Sequence, residues 1–309
     1  MTNLRLGVLL MTYGSPAADL HDLPDYLAAV RGGRPPSSVL VDEFRRRYER
    51  IGESPLIAIT RDQAAAVEER LRIGGLDACA TVGMRFSEPS IAHGLQQLAE
   101  LGSTAVTAIV MSPQYSELLM AGYRRAIDAA VAEIGPDAPT VTLAPAWYRE
   151  PSFVEAVAGR IRAALAELPA DVPVLLTAHS LPRRVADAEP HYLEQLRETA
   201  DLVAAAAGLA PERWQFCWQS AGHEPGEWMK PDFADLLPRL RDEGHAGVLV
   251  APIQFLADHL EILYDIDIGA REQAEASGMA FARIESLNTS PRFIEALSRI
   301  AREHMPAAV

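Results

Sequence analysis

One histidine stands where an apolar run of the sequence ends. His179 follows the run Val174–Ala178 and precedes a short polar turn that Pro182 closes. An imidazole titrates near neutral pH, so this side chain can accept a proton or ligate a metal ion. A histidine that only bonds to a neighbouring carbonyl group is the alternative, and spacing alone does not separate the two.

Acidic residues recur in the segment Ala257–Asp265, which follows the apolar run Gly247–Pro252. At about 100° per residue of an α-helix, Asp258, Glu261 and Asp265 fall within roughly 60° of one another on one face. An acidic face is usually solvated surface, but this one begins at the edge of a sheet where ligands bind. Carboxylates and an imidazole that face each other across a cleft would suit a divalent first-row metal ion.

A third group of candidates combines basic, phenolic and hydroxyl side chains in the first half of the chain. A guanidinium group binds a carboxylate through two parallel hydrogen bonds. We therefore expect one arginine of Arg45–Arg47 to bind a substrate carboxylate, while the other two face solvent. The full group is Tyr13, Arg31, Arg34, Arg45, Arg46, Arg47, Tyr48, Ser54 and Tyr123.

These candidates are positioned by short apolar runs that alternate with helical patterns along almost the whole chain. The alternation predicts an α/β fold with parallel strands that are buried on both faces. Thr60 and Gln63 form a capping-box pattern, which predicts the start of a long helix. The predicted strands are Leu6–Met11, Cys79–Met84, Ala105–Ser112, Val141–Pro145, Val174–Ala178, Gln215–Gln219, Gly247–Pro252 and Ala282–Ser286.

Eight strands can form one large sheet or two sheets of four. A plausible hinge at Ala146–Ser152 and the similar strand spacing of the two halves favour two similar Rossmann-like lobes. Each lobe would be a roughly four-stranded parallel sheet flanked by helices, with a cleft between the lobes. We expect residues 1–149 to form the N-terminal lobe and residues 150–309 the C-terminal lobe, whose final helix packs back on the first.

The composition excludes several classes of function. The 309 residues include 28 basic and 42 acidic side chains, a net charge of −14, which argues against nucleic acid as the main partner. The common phosphate-binding, serine-hydrolase and HExxH zinc-protease motifs are absent from the sequence. Two cysteines without a CxxC pair argue against structural zinc and favour a reducing, cytoplasmic location. No apolar run approaches the roughly 18 residues of a membrane-spanning helix.

At the candidate residues the sequence closely resembles the ferrochelatase family, whose members insert ferrous iron into a porphyrin. The matching motifs lie in order along nearly the whole chain. They are Tyr13–Pro16, Arg31–Pro35, Ser54–Leu56, Thr177–Pro182, Trp218–Ser220, Phe255–Asp265 and Asn288–Ile294.

The resemblance implies a role for each candidate. His179 and Glu261 would be the catalytic and metal-binding pair, on either side of the porphyrin plane, and Tyr13 would lie under the macrocycle near the metal. The short bacterial branch of the family is associated with coproporphyrin III, whose four propionates suit several cationic and phenolic groups better than the two of protoporphyrin IX. The residues that match its carboxylate-binding positions are Arg31, Arg47, Tyr48, Ser54 and Tyr123.

The resemblance also implies ferrous iron as a substrate, no permanently bound cofactor and no [2Fe–2S] cluster. Gly269 stands where a relative carries glutamate, so we do not expect a secondary metal site. Phe86 and Gln114 stand where some relatives have histidine. A monomer is expected, with a downstream enzyme of haem synthesis as a candidate partner.

Three other functions stay open at this point. The chain could be a protoporphyrin IX ferrochelatase, a chelatase that inserts cobalt or nickel into another tetrapyrrole, or a tetrapyrrole carrier without chemistry. A carrier has no need for both His179 and Glu261, so the presence of both favours an enzyme.

Overall fold

The computed structural model describes residues 5–222 and 226–305, and in this part of the chain all eight predicted strands are confirmed. The last of them lies at Ala280–Arg283 rather than at the predicted Ala282–Ser286, and the backbone N–H of Ile284 still donates to the Val250 carbonyl of the neighbouring strand at 3.0 Å. The strands are β1 (Leu6–Thr12), β2 (Ala78–Met84), β3 (Ala105–Val110), β4 (Thr140–Leu143), β5 (Val174–His179), β6 (Trp214–Gln219), β7 (Gly247–Pro252) and β8 (Ala280–Arg283).

Helices connect these strands, and one of them is a π-helix at Glu261–Ala270. Two short 3₁₀ turns lie elsewhere in the chain, at Gly135–Asp137 and Pro211–Arg213. The α-helices are α1 (Leu23–Val30), α2 (Ser38–Ile51), α3 (Leu56–Ile73), α4 (Ile91–Glu100), α5 (Glu117–Ile134), α6 (Pro151–Ala166), α7 (Arg183–Ala188), α8 (Pro190–Ala207), α9 (Phe233–Asp242), α10 (Arg271–Ala276) and α11 (Pro291–Glu303).

Two separate four-stranded sheets form, and every strand pair is parallel. Their strand orders are β2-β1-β3-β4 and β6-β5-β7-β8, so the two sheets have the same topology. The order reverses direction between β1 and β3 in one sheet and between β5 and β7 in the other. Ligands of open α/β sheets bind at such a reversal, beyond the carboxyl ends of the strands.

Burial explains why these runs become central strands. All seven residues of β1 are buried, and Val8, Leu9 and Leu10 have no exposed surface. Covering a side chain of this size contributes about 1.5–3 kcal/mol relative to leaving it in water. A strand that is apolar on both faces is therefore stable only where helices cover both sides of its sheet.

The chain forms two compact units, each built on one sheet. Within the described residues, the first contains 5–113, 117–147 and 288–305, and the second contains 114–116, 148–222 and 226–287. The chain thus passes between units at Trp147 and Tyr148, two residues before the predicted limit. The final helix, α11, belongs to the first unit. There α11 packs against α3 and β3, and the Thr107 hydroxyl donates to the Ala301 carbonyl at 3.1 Å.

The predicted helix start at Thr60 is wrong. Helix α3 begins four residues earlier, at Leu56, and Thr60 lies inside it. Its hydroxyl donates to the Leu56 carbonyl at 2.7 Å, and the Gln63 amide donates to the Asn288 carbonyl at 2.8 Å. The two polar side chains therefore satisfy carbonyl groups rather than cap the helix.

Among the helices of residues 5–222 and 226–305, none is both long enough and apolar enough to cross a lipid bilayer.

Candidate functional site

In the second unit, the end of β5 fixes the orientation of His179. The backbone N–H of His179 donates to Gln254 Oε1 at 2.8 Å, and Gln254 also hydrogen-bonds to the Tyr192 hydroxyl. The ring atom Nδ1 lies 2.5 Å from the Ser180 carbonyl oxygen. Because a carbonyl group only accepts, Nδ1 carries a hydrogen and the other ring nitrogen, Nε2, is turned toward Glu261.

Glu261 is the first residue of the π-helix, in the connection that follows β7. Its Oε1 lies 3.4 Å from His179 Nε2, and its Oε2 lies 3.5 Å from Nε2 of His259. The Nδ1 atom of His259 is 2.9 Å from the Ala257 carbonyl oxygen, which orients that ring as well. The carboxylate thus lies between two imidazoles at the β5–β7 reversal of strand order, where ligands of such sheets bind. The expectation that His179 and Glu261 flank the porphyrin plane is wrong, because side-chain atoms in direct contact leave no room for a macrocycle between them.

The charges of this group reinforce one another. Burial opposes the charged form of His179, but the Glu261 carboxylate, the Ser180 carbonyl and the Asp265 charge outweigh it and raise the pKa of His179 to about 9. Burial likewise opposes the charged form of Glu261, but His179 and His259 hold its pKa well below the usual range. At neutral pH the pair is therefore an imidazolium and a carboxylate that share one proton.

The predicted stripe of three acids is only partly confirmed. Asp258 lies before the helix and accepts a hydrogen bond from the Ser286 hydroxyl at 2.6 Å, so it does not extend the acidic face. Within the described part of the chain, no three side chains of His, Cys, Asp or Glu are arranged to hold a metal ion. His179 and Glu261 therefore stay a predicted metal-binding pair.

The winding of the helix that follows Asp258 also differs from the prediction. The sequence prediction assumed an α-helix, but Glu261–Ala270 is a π-helix, in which hydrogen bonds span five residues. The backbone N–H of Arg271, for example, donates to the Ile266 carbonyl. Asp265 still lies close enough to contribute to the charge felt by His179. π-Helices are rare and frequently occur at functional sites.

In the first unit, Tyr13 follows β1 and stacks on Phe86, which follows β2. The ring centroids are 5.3 Å apart, and the Phe86 N–H donates to the Tyr13 carbonyl at 3.0 Å. Gly14 makes this turn possible: its φ is +91°, and an added Cβ would lie 2.1 Å from the Ser87 hydroxyl oxygen. Tyr13 is 39% exposed, so one side of its ring remains accessible.

Tyr123, on α5, makes an edge contact with the Tyr13 ring at 6.4 Å between centroids. Burial, and to a lesser degree Tyr13, raise the pKa of Tyr123 far above its usual value, so its phenol stays protonated. The Arg85 guanidinium lies 5.4 Å from the Tyr123 ring centroid and 4.7 Å from that of Phe86. The sequence analysis gave Arg85 no role, although its position directly after β2 places it at the ligand-binding edge.

Tyr48 and Ser54 line one surface pocket of about 130 Å³. Tyr48 is near the end of α2, and Gly52, with a φ of +78°, lets the chain turn back so that Ser54 reaches the same pocket. Both residues are largely buried. Two acids, Glu49 and Glu53, line the pocket as well. Tyr48 and Ser54 are thus the two hydroxyl-bearing residues among those that line the pocket.

Among the described residues that line this pocket, neither Arg31 nor Arg47 is found. Arg47 Nε donates to Glu43 Oε1 at 3.0 Å, and its guanidinium lies 5.3 Å from the Phe44 ring centroid. Arg31 follows α1 and donates from Nη1 to the Pro35 carbonyl at 3.1 Å. Tyr48 and Ser54 thus line the same pocket, and Tyr13 contacts Tyr123. Arg31 and Arg47 instead make their hydrogen bonds elsewhere, to the Pro35 carbonyl and to Glu43.

The ferrochelatase family model matches residues 5–305 of this chain. A ferrochelatase of Deinococcus radiodurans is 40% identical over 97% of this chain and 96% of its own length. A coproporphyrin III ferrochelatase of Anoxybacillus flavithermus is 34% identical over 99% of this chain and 98% of its own length. That of Bacillus subtilis is 32% identical over 97% of this chain and 98% of its own length.

Solved structures agree on the fold. SirB from Bacillus subtilis with Fe³⁺ superposes with a TM-score of 0.62 at 12% identity, covering 97% of this chain and 96% of that one. CbiX, described as the terminal enzyme for siroheme biosynthesis in denitrifying bacteria, superposes with a TM-score of 0.55 at 12% identity, covering 99% and 100%. The predicted chelatase-like pair of four-stranded parallel sheets is confirmed.

Proposed function

The chain belongs to the ferrochelatase family of metal chelatases, and we propose that it inserts Fe²⁺ into coproporphyrin III and releases two protons. The observation that carries the chemistry is the His179–Glu261 pair at the strand-order reversal of the second sheet. Relatives at 32–35% identity that match nearly the whole chain are coproporphyrin III ferrochelatases by name, which supports the choice of porphyrin.

His179 and Glu261 handle the metal and the protons. The depressed pKa of Glu261 keeps its carboxylate charged, which attracts a divalent cation. The charge of an arriving Fe²⁺ opposes the imidazolium form of His179, so the shared proton passes to solvent and Nε2 can then bind the metal or accept a pyrrole proton. Each pyrrole N–H that the metal replaces gives up one proton, and either member of the pair can accept it.

The first unit supplies the groups that bind the porphyrin. Arg31 and Arg47 contribute guanidinium groups, which can bind propionate carboxylates through parallel hydrogen bonds. Tyr48 and Ser54 offer hydroxyl donors in their pocket, and the protonated phenol of Tyr123 is a donor as well. The accessible face of the Tyr13 ring offers a flat surface for a macrocycle. Binding energy from these remote groups can bend one pyrrole out of the porphyrin plane.

No permanently bound cofactor takes part in this proposal. Cys79 lies in the first unit and Cys217 in the second, and both are buried free thiols. That arrangement supports the absence of a cysteine-ligated iron–sulfur cluster. Buried unpaired thiols also suit the reducing cytoplasm, where we expect the protein to be a monomer. Metal analysis of the purified protein and light scattering of its mass test these expectations.

An anaerobic insertion assay tests the proposed reaction. Purified protein receives Fe²⁺ with either coproporphyrin III or protoporphyrin IX, and absorbance follows metalloporphyrin formation. We expect kcat/KM for coproporphyrin III to exceed that for protoporphyrin IX by at least about tenfold, or about 1.4 kcal/mol in transition-state free energy.

The matched control is His191→Ala, because His191 forms an exposed pair with Glu194 on the surface of α8. This variant should retain full activity, whereas His179→Ala should lose it. A preference for protoporphyrin IX, or for Co²⁺ or Ni²⁺ over Fe²⁺, would contradict the proposed substrates. Tight porphyrin binding without insertion of any metal would identify a carrier instead.

A further inference from the structure

Arg283, the last residue of β8, uses all the hydrogen-bond donors of its guanidinium group. A guanidinium carries five N–H groups, and each of them faces an acceptor within 3.4 Å, while the side chain is only 14% exposed. The bonds run from Nε to Asp267 Oδ1 (2.7 Å), from Nη2 to Asp267 Oδ2 (2.9 Å) and Asp258 Oδ1 (3.4 Å), and from Nη1 to the Ile284 carbonyl (2.9 Å) and the Ser286 hydroxyl (3.1 Å).

The two carboxylates that Arg283 binds lie on either side of Glu261 in the sequence. Asp258 precedes the π-helix by three residues, and Asp267 lies in its second half. The Ser286 hydroxyl accepts from Arg283 and also donates to Asp258 Oδ1, so it links these two residues a second time. The Arg283 side chain thus binds the segment that contains Glu261 at Asp258, before Glu261, and at Asp267, after it.

This segment needs such support, because a π-helix of ten residues is unusually long. Most π-helices are single turns inserted into α-helices. On its inner face Ile262, Ile266 and Ala270 are buried in the core of the second unit. Asp267 faces Arg283 instead, so the helix is held by apolar packing on one side and by an ion pair on another.

We propose that Arg283 is a positioning residue that maintains the winding of the π-helix and thereby keeps the Glu261 carboxylate within reach of His179. A relaxation of Glu261–Ala270 toward α-helical winding would shift the register of the segment between Asp258 and Asp267. The guanidinium opposes that shift because it binds both aspartates at once. The consequence for catalysis rests on the proposed iron insertion, whereas the consequence for the helix does not.

Arg283→Lys tests the proposal with the charge retained. An ammonium group is a point charge with three donors and cannot reproduce the planar fork that binds two carboxylates. We expect amide hydrogen exchange in residues 261–270 to become at least about tenfold faster. We also expect kcat for iron insertion to fall at least about tenfold, with KM for coproporphyrin III within about twofold of the wild-type value.

Asp267→Asn is measured in parallel, so that the proposal is decided even if Arg283→Lys does not fold. This variant keeps the shape of the side chain and removes one charge, and we expect changes in the same direction. The matched control is Glu285→Gln, which removes an exposed ion pair with Arg160 two residues from Arg283. It should leave the exchange of residues 261–270, kcat and KM unchanged.

The outcomes separate the two proposals. Unchanged exchange and unchanged kcat in the Arg283 and Asp267 variants would overturn the positioning role. Faster exchange with an unchanged kcat would overturn it too, because Arg283 would then support the helix without affecting the reaction. If the wild-type protein inserts no iron, the proposed function fails, and the exchange measurement still shows whether Arg283 maintains the helix.

Discussion

Replacing Glu261 by glutamine should lower the pKa of His179. The carboxylate is the main group that raises this pKa to about 9, through its charge and its hydrogen bond, while burial acts in the opposite direction. Glutamine is similar in shape but uncharged, so only the Ser180 carbonyl and the more distant Asp265 would still favour the imidazolium. The pKa of His179 should then fall toward or below its ordinary value of 6.5.

The size of the fall follows from the exposure of the pair. The His179 side chain is 28% exposed and that of Glu261 is 36% exposed, so solvent screens part of the attraction. We therefore expect a decrease of at least about 1 pH unit, which corresponds to about 1.4 kcal/mol of lost interaction.

NMR titration of metal-free protein measures the effect. The imidazole C–H signals are followed from pH 5 to 10, and His179→Gln identifies the signal of His179 by its absence. Glu194→Gln serves as the control, since Glu194 pairs with the exposed His191 and should leave His179 unchanged. A wild-type His179 that titrates near 6.5, or a titration that Glu261→Gln does not move, would refute the assigned electrostatics.

Three further predictions concern stability and binding. Because the folded-state pKa of His179 is raised and that of Glu261 is lowered, the pair stabilises the fold fully between about pH 4.5 and 6.5 and loses its effect as the pH rises through about 9. The difference in unfolding free energy between wild type and Glu261→Gln, from urea titrations, should therefore decrease over that rise in pH, and a constant difference would contradict the pairing. Gly14→Ala should lower the free energy of unfolding by at least about 2 kcal/mol more than Gly32→Ala does, because both glycines have positive φ but, of the two, only Gly14 lacks space for a Cβ. Equal urea midpoints of the two variants would argue against the close approach of Ser87 to Gly14. Tyr48→Phe should raise KM for coproporphyrin III several-fold at unchanged kcat, and an unchanged KM in the insertion assay would exclude its hydroxyl from binding.

The sheets are predictable because their signal is local. A run such as Leu6–Met11 is apolar on both faces, and helical patterns separate it from the next run, so the strand is recognised without knowledge of its partners. The position of His179 at a strand end is local in the same sense. The two-sheet topology follows from the spacing of such runs in each half of the chain.

The parts that escaped prediction depend on winding or on distant residues. The acidic face is predicted for a helix with 3.6 residues per turn, whereas Glu261–Ala270 is a π-helix. Asp258 pairs with a strand 25 residues later, a contact that no local pattern contains.

A double-mutant cycle in single-turnover iron insertion tests the central claim most directly. Under anaerobic conditions, with saturating Fe²⁺ and coproporphyrin III, the insertion rate is measured for wild type, His179→Gln, Glu261→Gln and the double variant. If the two side chains act as one unit, each single change lowers the rate at least about 100-fold and the double change adds little more. A single variant that binds porphyrin and inserts iron within about threefold of the wild-type rate would contradict the account.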